Sequence, residues 1–480
     1  MIDAETAHAA VESRDRRYDG VFFTGVSSTG IYCRCVCTAR APKRANRRFF
    51  ASAAAAEAAG FRPCLLCRPE CAPGMAPIDA AERLAHDAYK RIEAGALEEE
   101  GLADLARRLG VTDRHLRRAM GRTFGASPVE IAQTHRLLTA KRLLTETDLS
   151  MTEIAFAAGF QSLRRFNALF QARYRMAPSR VRGRGRRHAG AGLTVTLEPR
   201  GRFDGAGPLA HFMMRRIAGM EVSPRPGLWV RTLRSGPHAG WIALDLAGPA
   251  PILTVSDALH PAFRRVLAAV RGALDLDAAV AVIDAQLSNA PFLAAEIARE
   301  PGVRLPGGID PFEIAVRAVL GQQITVSAAT TLAARLVALC DETVETPFEG
   351  VALLFPKPET IAGLGIDALA ALGQPRKRAE TLHALACAAA DGRLVLERGA
   401  IAAGRAGLAA IPGIGPWTIE YVALRGLGDP DAFPASDSAL RAAFGPGLDD
   451  AHAAWRPWRA YAAARLWRMH ARTQHERRTR

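Results

Sequence analysis

Hydrophobic and polar residues alternate in three short segments near the middle of the chain. These segments are 193–197 (LTVTL), 227–233 (GLWVRTL) and 240–246 (GWIALDL). Alternation places successive side chains on opposite faces of a strand, so the pattern predicts a small antiparallel sheet. A helix is predicted over residues 208–218, between the first two strands, and the chain from about residue 260 onward is predicted to be helical.

An internal repeat lies before this sheet. The motif LA-x3-G at 105–110 recurs as IA-x3-G at 154–159, and F-x3-P at 124–128 recurs as Y-x3-P at 174–178. Each unit has the period of a helix-turn-helix, with alanine and glycine where two helices meet closely. A long helix with an apolar face, predicted over 129–144, joins the two units.

Two such units about fifty residues apart resemble the AraC-type DNA-binding domain. The resemblance implies that the second helix of each unit enters a major groove. Arginine pairs well with guanine edges and also binds phosphate. A solvated basic face on a helical bundle is the alternative to a DNA-binding surface. The arginines expected to contact DNA are Arg114, Arg117, Arg118, Arg164 and Arg165.

Cysteines cluster near the N-terminus, where six of the eight lie between Cys33 and Cys71. Two of them enclose three residues (33–37), and a second pair, about twenty-six residues further on, encloses two (64–67). This spacing fits a tetrahedral four-thiolate zinc site, which a domain this small needs for stability. Cys35 and Cys71 are additional cysteines, so the choice of the four ligands stays open at this point.

The surrounding segments TGIYC (29–33), CTAR (37–40) and AGFRPC (59–64) resemble the N-terminal domain of the Ada family. The resemblance implies that Cys33, Cys37, Cys64 and Cys67 bind Zn²⁺. It also implies that Cys33 irreversibly accepts a methyl group from a DNA methylphosphotriester. Cys35 occupies a position where relatives commonly have proline, and it is a competing ligand or acceptor. A purely structural zinc module is the alternative.

Methyl transfer to one thiolate removes a negative charge, and we expect this change to tighten DNA binding. The basic residues expected to bind phosphate beside the zinc site are Arg40, Lys43, Arg44, Arg47 and Arg48.

A glycine hairpin stands near the C-terminus, in the segment IPGIGPWTIEYVALRGLGDPDAFPASD (411–437). Gly413 and Gly415 permit close backbone approach and positive φ, and a helix is predicted directly after them. This pattern resembles the helix-hairpin-helix DNA glycosylases, in which an aspartate follows about twenty residues later. Here that residue is Asp437, and the resemblance implies that it stabilises the developing positive charge on the sugar and orients or deprotonates water.

The residue two positions after the second glycine is Trp417, where glycosylases that also cut the strand have a Schiff-base lysine. We therefore predict base removal without strand cleavage. Trp417 and Tyr421 resemble the aromatic residues of the AlkA-type 3-methyladenine glycosylases, which stack a flipped base between rings. Trp458, in the block WRPWRAY (455–461), is the predicted third pocket wall. In the segment 310–325, Gln323 occupies the place of the residue that fills the gap left by the flipped base, and Ile324 is the competing residue.

Composition agrees with a nucleic-acid partner. The 480 residues carry a formal net charge of +15, which indicates a polyanion, and 49% hydrophobic residues suffice for packed cores. The N-terminus lacks the apolar core of a signal peptide, and no apolar run reaches the roughly 18 residues of a membrane span. We expect a soluble bacterial protein of the cytoplasm and nucleoid that binds operator and alkylated duplex DNA, and RNA polymerase.

The predicted fold is multidomain and mainly α. It comprises a zinc-binding α+β domain (1–78), an all-α AraC-type domain (82–181), a linker (182–192), an antiparallel α+β subdomain (193–275) and an all-α helix-hairpin-helix domain (276–480). The predicted function is a methylphosphotriester sensor and transcription regulator fused to a monofunctional DNA-3-methyladenine glycosylase. A transcription factor with an inactive glycosylase domain is one alternative, and a glycosylase merely anchored by its zinc module is another.

Overall fold

The computed structural model describes residues 4–15, 18–50, 53–69, 77–99, 101–182 and 192–479. The chain forms two compact units. The first contains residues 1–90 and 100–130, and the second contains residues 91–99 and 131–480. Almost all of the predicted linker (182–192), and Cys71, lie outside the described residues.

The first unit begins with a small α+β domain. Its elements are α1 (Ala4–Ser13), β1 (Phe23–Val26), β2 (Ile31–Arg34), β3 (Arg47–Phe50), α2 (Ala53–Ala58) and β4 (Arg62–Pro63). The four strands form one sheet in the order β3-β1-β2-β4, in which β2 and β4 are parallel. Gly25 lies on β1 against an aromatic cluster, where a Cβ would come within 2.7 Å of the Phe50 ring. Only glycine therefore lets this ring cover the strand.

Eight helices follow among the described residues up to 182. They are α3 (Pro77–Glu93), α4 (Ala96–Glu99), α5 (Leu102–Arg108), α6 (Asp113–Phe124), α7 (Pro128–Glu146), α8 (Met151–Ala157), α9 (Leu163–Tyr174) and α10 (Pro178–Val181). The predicted repeat is confirmed: α5 and α6 form one helix-turn-helix in the first unit, and α8 and α9 form another in the second. The predicted long helix between them is α7.

The two repeats use the same local devices. Leu105 and Ala106 on α5 are buried, as are their counterparts Ile154 and Ala155 on α8. The glycine of each repeat has a positive φ, +71° at Gly110 and +85° at Gly159. The recognition helices α6 and α9 each begin at a hydroxyl side chain that accepts a backbone N–H. The sequence repeat therefore encodes two copies of one turn.

The hydrophobic core of the second helix-turn-helix continues into the sheet subdomain that follows. Leu143 on α7 and Phe170 on α9 belong to the same buried cluster as Trp229 and Phe263 of that subdomain. Within the second unit, packing is therefore continuous across the position of the predicted linker. The domain limits at 181 and 193 stay a prediction.

The subdomain contains β5 (Leu193–Thr196), α11 (Ala206–Met214), β6 (Glu221–Val222), β7 (Leu228–Ser235), β8 (His238–Asp245), β9 (Ile252–Val255) and α12 (Phe263–Ala273). Its strands are antiparallel in the order β5-β9-β8-β7-β6. The three predicted strands are confirmed, and β6 and β9 are added. The helix predicted over 208–218 ends earlier, at Met214.

The rest of the chain is helical, as predicted. It comprises α13 (Val280–Leu287), α14 (Pro291–Arg299), α15 (Pro311–Leu320), α16 (Val326–Cys340), α17 (Pro358–Ala370), α18 (Arg376–Ala390), α19 (Ile401–Ala409), α20 (Pro416–Val422), α21 (Ser438–Phe444), α22 (Leu448–Ala451) and α23 (Arg459–Thr479). A π-helical turn, Ala423–Leu427, extends α20. In the part of the chain that the structure describes, no helix is long and apolar enough to cross a membrane.

Candidate active site and metal centre

A cavity of about 1160 Å³ opens in the second unit between the sheet subdomain and the helical domain. The end of α15, the glycine hairpin, α20, α21 and α23 contribute to its wall. Three residues singled out from the sequence line it together, namely Trp417, Tyr421 and Asp437. The hairpin glycines and Gln323 also line this cavity.

The Asp437 carboxylate is held by four N–H donors. Its Oδ1 accepts hydrogen bonds from the backbone N–H groups of Ala439 (3.0 Å) and Leu440 (3.1 Å), so the side chain caps α21. Oδ1 also accepts the indole N–H of Trp467 (3.1 Å), and Oδ2 accepts the indole N–H of Trp417 (2.9 Å). Hydrogen bonds to a carboxylate are short and strong, so this constellation fixes both its position and its orientation.

Trp417 and Tyr421 form a single aromatic wall. They lie one helical turn apart on α20, and their rings stack with centroids 5.1 Å apart and planes 16° apart. A base inserted between two rings needs a separation of about 7 Å, twice the contact distance of carbon atoms. The two rings therefore cannot sandwich a base between themselves, which corrects that part of the sequence prediction. Only the outer faces of the pair are available for stacking with a third ring.

Trp467 on α23 is a further aromatic residue of the cavity, whereas Trp458, the wall predicted from the sequence, is not among the residues that line it. Trp467 lines the cavity with its ring centroid 6.4 Å from that of Tyr421. Trp458 instead donates its indole N–H to Gln286 (2.8 Å) and packs edge-on against Tyr461. Trp458 precedes α23, whereas Trp467 lies two turns into that helix, on the face that meets Asp437. The signal that could have found Trp467 was its position on the helix that begins within the WRPWRAY block (455–461).

The two hairpin glycines, Gly413 and Gly415, differ in backbone conformation and in the space around them. Gly413 has φ +86°, and a Cβ there would lie 2.0 Å from the Thr381 hydroxyl on α18. Gly415 is the residue before α20, with φ −93° and open space around its Cα. Close backbone packing therefore requires glycine at 413, while position 415 leaves room for an approaching ligand.

The turn after α15 is tied to this hairpin. The Gln322 side chain donates to the Gly413 carbonyl (3.1 Å) and to the Thr418 hydroxyl (3.2 Å). The next residue, Gln323, is exposed and has φ +58°, a conformation that is rare outside glycine. Ile324 beside it is 37% exposed. Both residues singled out from the sequence thus stand at the tip of a turn at the edge of the cavity.

Four arginines that sequence reasoning missed line the cavity, and two of them, Arg215 and Arg425, act most strongly on the Tyr421 hydroxyl. Burial opposes the ionisation of Tyr421, but the guanidinium groups of these two arginines outweigh it and lower the pKa of the Tyr421 hydroxyl. Burial also lowers the pKa of Arg425, to about 10, so this guanidinium stays charged at neutral pH. The cavity is therefore both aromatic and locally cationic.

The predicted metal site is assembled in the first unit. Cys33 lies on β2, Cys37 follows that strand, and Cys64 and Cys67 lie in the loop after β4. The parallel pairing of β2 with β4 brings these segments together, and the four Sγ atoms lie within 4.8 Å of one another. Tetrahedral Zn–S bonds of about 2.3 Å place sulfurs about 3.8 Å apart. This donor set therefore fits Zn²⁺.

The four sulfurs are not equivalent. The Arg34 backbone N–H donates to Cys67 Sγ (3.3 Å). A hydrogen bond from Cys33, together with that backbone donor, lowers the pKa of Cys67 to about 5, and the same Cys33–Cys67 hydrogen bond raises the pKa of Cys33. Cys64 is buried, whereas Cys33, Cys37 and Cys67 are half-buried.

Cys35 lies apart from this cluster. It is 1% exposed, packs in the hydrophobic cluster with Phe22, and donates its thiol to the Asp15 carbonyl (3.4 Å). Burial raises its pKa to about 11. β2 ends at Arg34, so Cys35 lies in the turn that follows, and this turn directs its side chain into the hydrophobic cluster and away from the other four sulfurs. Cys35 is therefore not positioned to compete as a metal ligand, and its thiol is not ionised to compete as a methyl acceptor.

The basic residues beside the metal site fall into two groups. Arg40, Lys43 and Arg48 are exposed. Arg44 instead pairs with Glu5 and Glu12 of α1 at 2.8 Å each. Arg47 also contacts Glu12 (3.2 Å). The expectation that all five arginine and lysine side chains are available to phosphate is corrected for Arg44 and Arg47, because acidic residues of α1 already hold them.

The arginines predicted to contact DNA are exposed on the recognition helices. In the described part of the chain, Arg117 alone among them has an ion pair on its own helix, with 3.8 Å between its Nε and the Asp113 carboxylate. The set comprises Arg114, Arg117 and Arg118 on α6, and Arg164 and Arg165 on α9.

Four family models match consecutive parts of the chain. They are the metal binding domain of Ada (residues 6–70), a helix-turn-helix domain (105–184), the AlkA N-terminal domain (194–310) and the HhH-GPD superfamily base excision DNA repair protein (316–445). Fold, site and matches together define the class of protein: an Ada-type metal-binding and helix-turn-helix half fused to an AlkA-type glycosylase half. The predicted zinc cofactor and the predicted fold class are thereby confirmed.

Three relatives illustrate the similarity. The "probable bifunctional transcriptional activator/DNA repair enzyme AlkA" of Mycobacterium tuberculosis is 38% identical, over 97% of this chain and 96% of the relative. "DNA-3-methyladenine glycosylase 2" of Escherichia coli is 33% identical over 55% and 93%. The "bifunctional transcriptional activator/DNA repair enzyme AdaA" of Bacillus subtilis is 30% identical over 36% and 80%. The chain belongs to the family of bifunctional transcriptional activator/DNA repair enzymes of the AlkA type.

Proposed function

We propose that this chain removes alkylated bases such as 3-methyladenine from duplex DNA and that Asp437 is the catalytic carboxylate. The observation that carries the proposal is the position of this carboxylate, held by two indole N–H groups beside an aromatic wall. Its charge stabilises the positive sugar as the C1′–N bond breaks and the bonding electrons leave with the base. Water then bonds to C1′, and its proton passes to the carboxylate or to solvent.

We propose further that the reaction ends at the abasic site. A strand-cleaving glycosylase needs an amine to form a Schiff base with the sugar. Trp417 occupies the position of that lysine, and none of the described residues that line the cavity is a lysine. Strand cleavage in the absence of added base or nuclease would contradict this.

The glycosylase test compares Asp437→Asn with the wild-type chain on DNA treated with a methylating agent. Asparagine still caps α21 but lacks the charge, so the variant should fold normally. We expect release of 3-methyladenine to fall at least about 100-fold, as for the loss of a positioned acid or base. Asp449→Asn, at an exposed carboxylate, is the matched control and should keep full activity. An Asp437→Asn variant with wild-type rates would refute the assignment.

In the Ada-type half, we propose that Cys33 accepts a methyl group from a DNA methylphosphotriester. The Cys33 sulfur forms a new S–C bond with the methyl carbon as the methyl C–O bond breaks. The electron pair of the C–O bond stays on the phosphate oxygen, so the phosphotriester becomes a phosphodiester. Bound Zn²⁺ would keep the four sulfurs as thiolates at neutral pH. Cys35 is buried and hydrogen-bonded elsewhere, which supports Cys33 as the acceptor.

Peptide mass spectrometry after exposure to methylated DNA tests this step. We expect the methyl group on Cys33 and none on Cys35. Cys35→Ser is the control and should still become methylated, whereas a methyl group on Cys35 in the wild-type chain would overturn the assignment.

Methylation of Cys33 is proposed to switch DNA affinity. It removes one negative charge from the metal site, and the exposed side chains of Arg40 and Lys43 would then bind phosphate with less repulsion of the DNA. The methylated chain would then bind operator DNA through α6 and α9 and recruit RNA polymerase. Equal operator affinity before and after methyl transfer, measured at one salt concentration, would rule this out.

A further inference from the structure

Helix α1 presents two carboxylates to the basic segment beside the metal site. Glu5 and Glu12 lie seven residues apart, close to two helical turns, so they share one face of α1. On the opposite face, Ala7, Ala10 and Val11 are buried in a hydrophobic cluster. Packing therefore fixes the helix, while the side chains of Glu5 and Glu12 stay at the surface, 74% and 43% exposed.

These two carboxylates occupy the whole guanidinium group of Arg44. Its Nε and one Nη donate to the two oxygens of Glu12 (2.8 and 3.0 Å). The other Nη donates to both oxygens of Glu5 (2.8 and 3.1 Å). The hydrogen bond from Arg44, followed by a weaker contribution from Arg47, lowers the pKa of Glu12 to about 2. Glu12 therefore carries its negative charge at neutral pH.

Arg44 belongs to the segment that is expected to bind phosphate. It begins the 3-10 turn Arg44–Asn46, directly after the exposed Lys43, and the exposed Arg40 and Arg48 lie in the same segment. A phosphate presents paired oxygens to a guanidinium group much as a carboxylate does, so the same donors serve either partner but not both at once. Exposed ion pairs contribute little to stability because water screens them, so a DNA phosphate can displace these carboxylates.

We propose that Glu5 and Glu12 compete with DNA phosphate for Arg44 and thereby lower the DNA affinity of the metal-binding domain. The inference rests on the proposed sensor function and names an internal regulator of that function. A phosphate that binds Arg44 must displace two carboxylates, which are then left unpaired beside the anionic DNA backbone. The unmethylated chain therefore binds undamaged DNA more weakly than its basic segment alone would allow.

The test compares the zinc-loaded full-length chain with the variant Glu5→Gln/Glu12→Gln. Glutamine keeps a hydrogen-bond acceptor at each position but removes the charge. Affinity for an unmodified duplex is measured between about 50 and 200 mM salt. One additional phosphate contact steepens the slope of log affinity against log salt by about 0.9. We therefore expect the variant to bind about fifteenfold more tightly at 50 mM salt and about fourfold more tightly at 200 mM salt.

Removal of Arg44 distinguishes competition from a general charge effect. In the Glu5→Gln/Glu12→Gln background, Arg44→Gln should abolish the gain in affinity. In the wild-type background, the same change should matter much less, because the carboxylates already occupy this side chain; independent charges would instead give equal effects. Asp277→Asn/Asp449→Asn, which removes two paired carboxylates of the second unit that are 71% and 63% exposed, is the matched control and should leave the salt slope unchanged.

Methyl transfer to Cys33 from a duplex with a single methylphosphotriester is measured alongside. Glu5→Gln/Glu12→Gln should react faster at subsaturating DNA, with an unchanged maximal rate. Equal affinities and salt slopes of this variant and the wild-type chain, or a gain that survives Arg44→Gln, would overturn the inference while the wild-type chain still becomes methylated. Absence of methyl transfer to Cys33 in the wild-type chain would remove the proposed sensor function, and this inference with it.

Discussion

A buried ion pair joins α4 to the sheet subdomain, and its disruption is the most informative perturbation of the second unit. The Arg264 guanidinium lies 2.6 Å from the Glu98 carboxylate, with 3% and 8% of the two side chains exposed. Arg264 also donates to the carbonyls of Ile92 (3.2 Å) and Glu93 (2.9 Å). Glu98 fills the space beside Gly159, where a Cβ would lie 2.3 Å from its carboxylate oxygen. The change considered is Arg264→Met.

Removal of one partner from a buried pair costs about 3–5 kcal/mol, because the remaining buried charge loses its hydrogen-bonded partner. Burial raises the pKa of Glu98 even though Arg264 opposes the shift, and the variant lacks that opposition. A carboxyl whose pKa is higher in the folded than in the unfolded state loses stability as pH rises above its unfolded value. That value is about 4.5. The loss of unfolding free energy in Arg264→Met, relative to the wild-type chain, should therefore be small near pH 5 and reach its full size near pH 7.5.

Urea unfolding followed by tryptophan fluorescence measures this deficit selectively, because all six tryptophans lie in the second unit. Replacement of both partners by methionine should recover about 2 kcal/mol or more relative to the single variant, since no buried charge remains. Arg271→Met, which removes a pair whose Asp277 partner is 71% exposed, is the control and should cost less than about 1 kcal/mol. A loss below about 1 kcal/mol in Arg264→Met, or a loss that does not change with pH, would refute the reasoning.

Three further outcomes are expected. Trp467→Phe keeps an aromatic ring but removes one of the four donors to Asp437, so 3-methyladenine release should fall about tenfold, the equivalent of about 1.4 kcal/mol, without loss of fold. An unchanged rate would show that this donor is dispensable. Gly413→Ala should cost about 2–4 kcal/mol, from positive φ and from overlap with a threonine hydroxyl of α18, whereas the same change at Gly415 should cost little in unfolding experiments. Cys35→Ser should retain one zinc per chain by metal analysis, and loss of the metal would place this residue in the site.

The amino-acid sequence predicted features that depend on residues close together along the chain. The paired cysteines, the two helix-turn-helix repeats, the three alternating strands and the hairpin with Asp437 twenty residues after Trp417 all have this character. Local spacing determines which side chains share a strand face or a helix face, and positive φ values favour glycine at particular turn positions. Such features are recognisable without knowledge of how distant elements pack.

Packing between distant elements decided the rest. It placed Trp467 rather than Trp458 beside Asp437, and it buried the Cys35 side chain in a hydrophobic cluster. It also paired Arg44 and Arg47 with α1, and it brought Arg215 and Arg425 to the wall of one cavity. Each of these outcomes depends on which surfaces of separate helices and strands meet, and no short-range pattern encodes that choice. The sequence by itself therefore determined the chemical groups and their local geometry, whereas the tertiary structure alone decided which charges and rings line the cavity, because contacts and burial arise only when remote segments pack together.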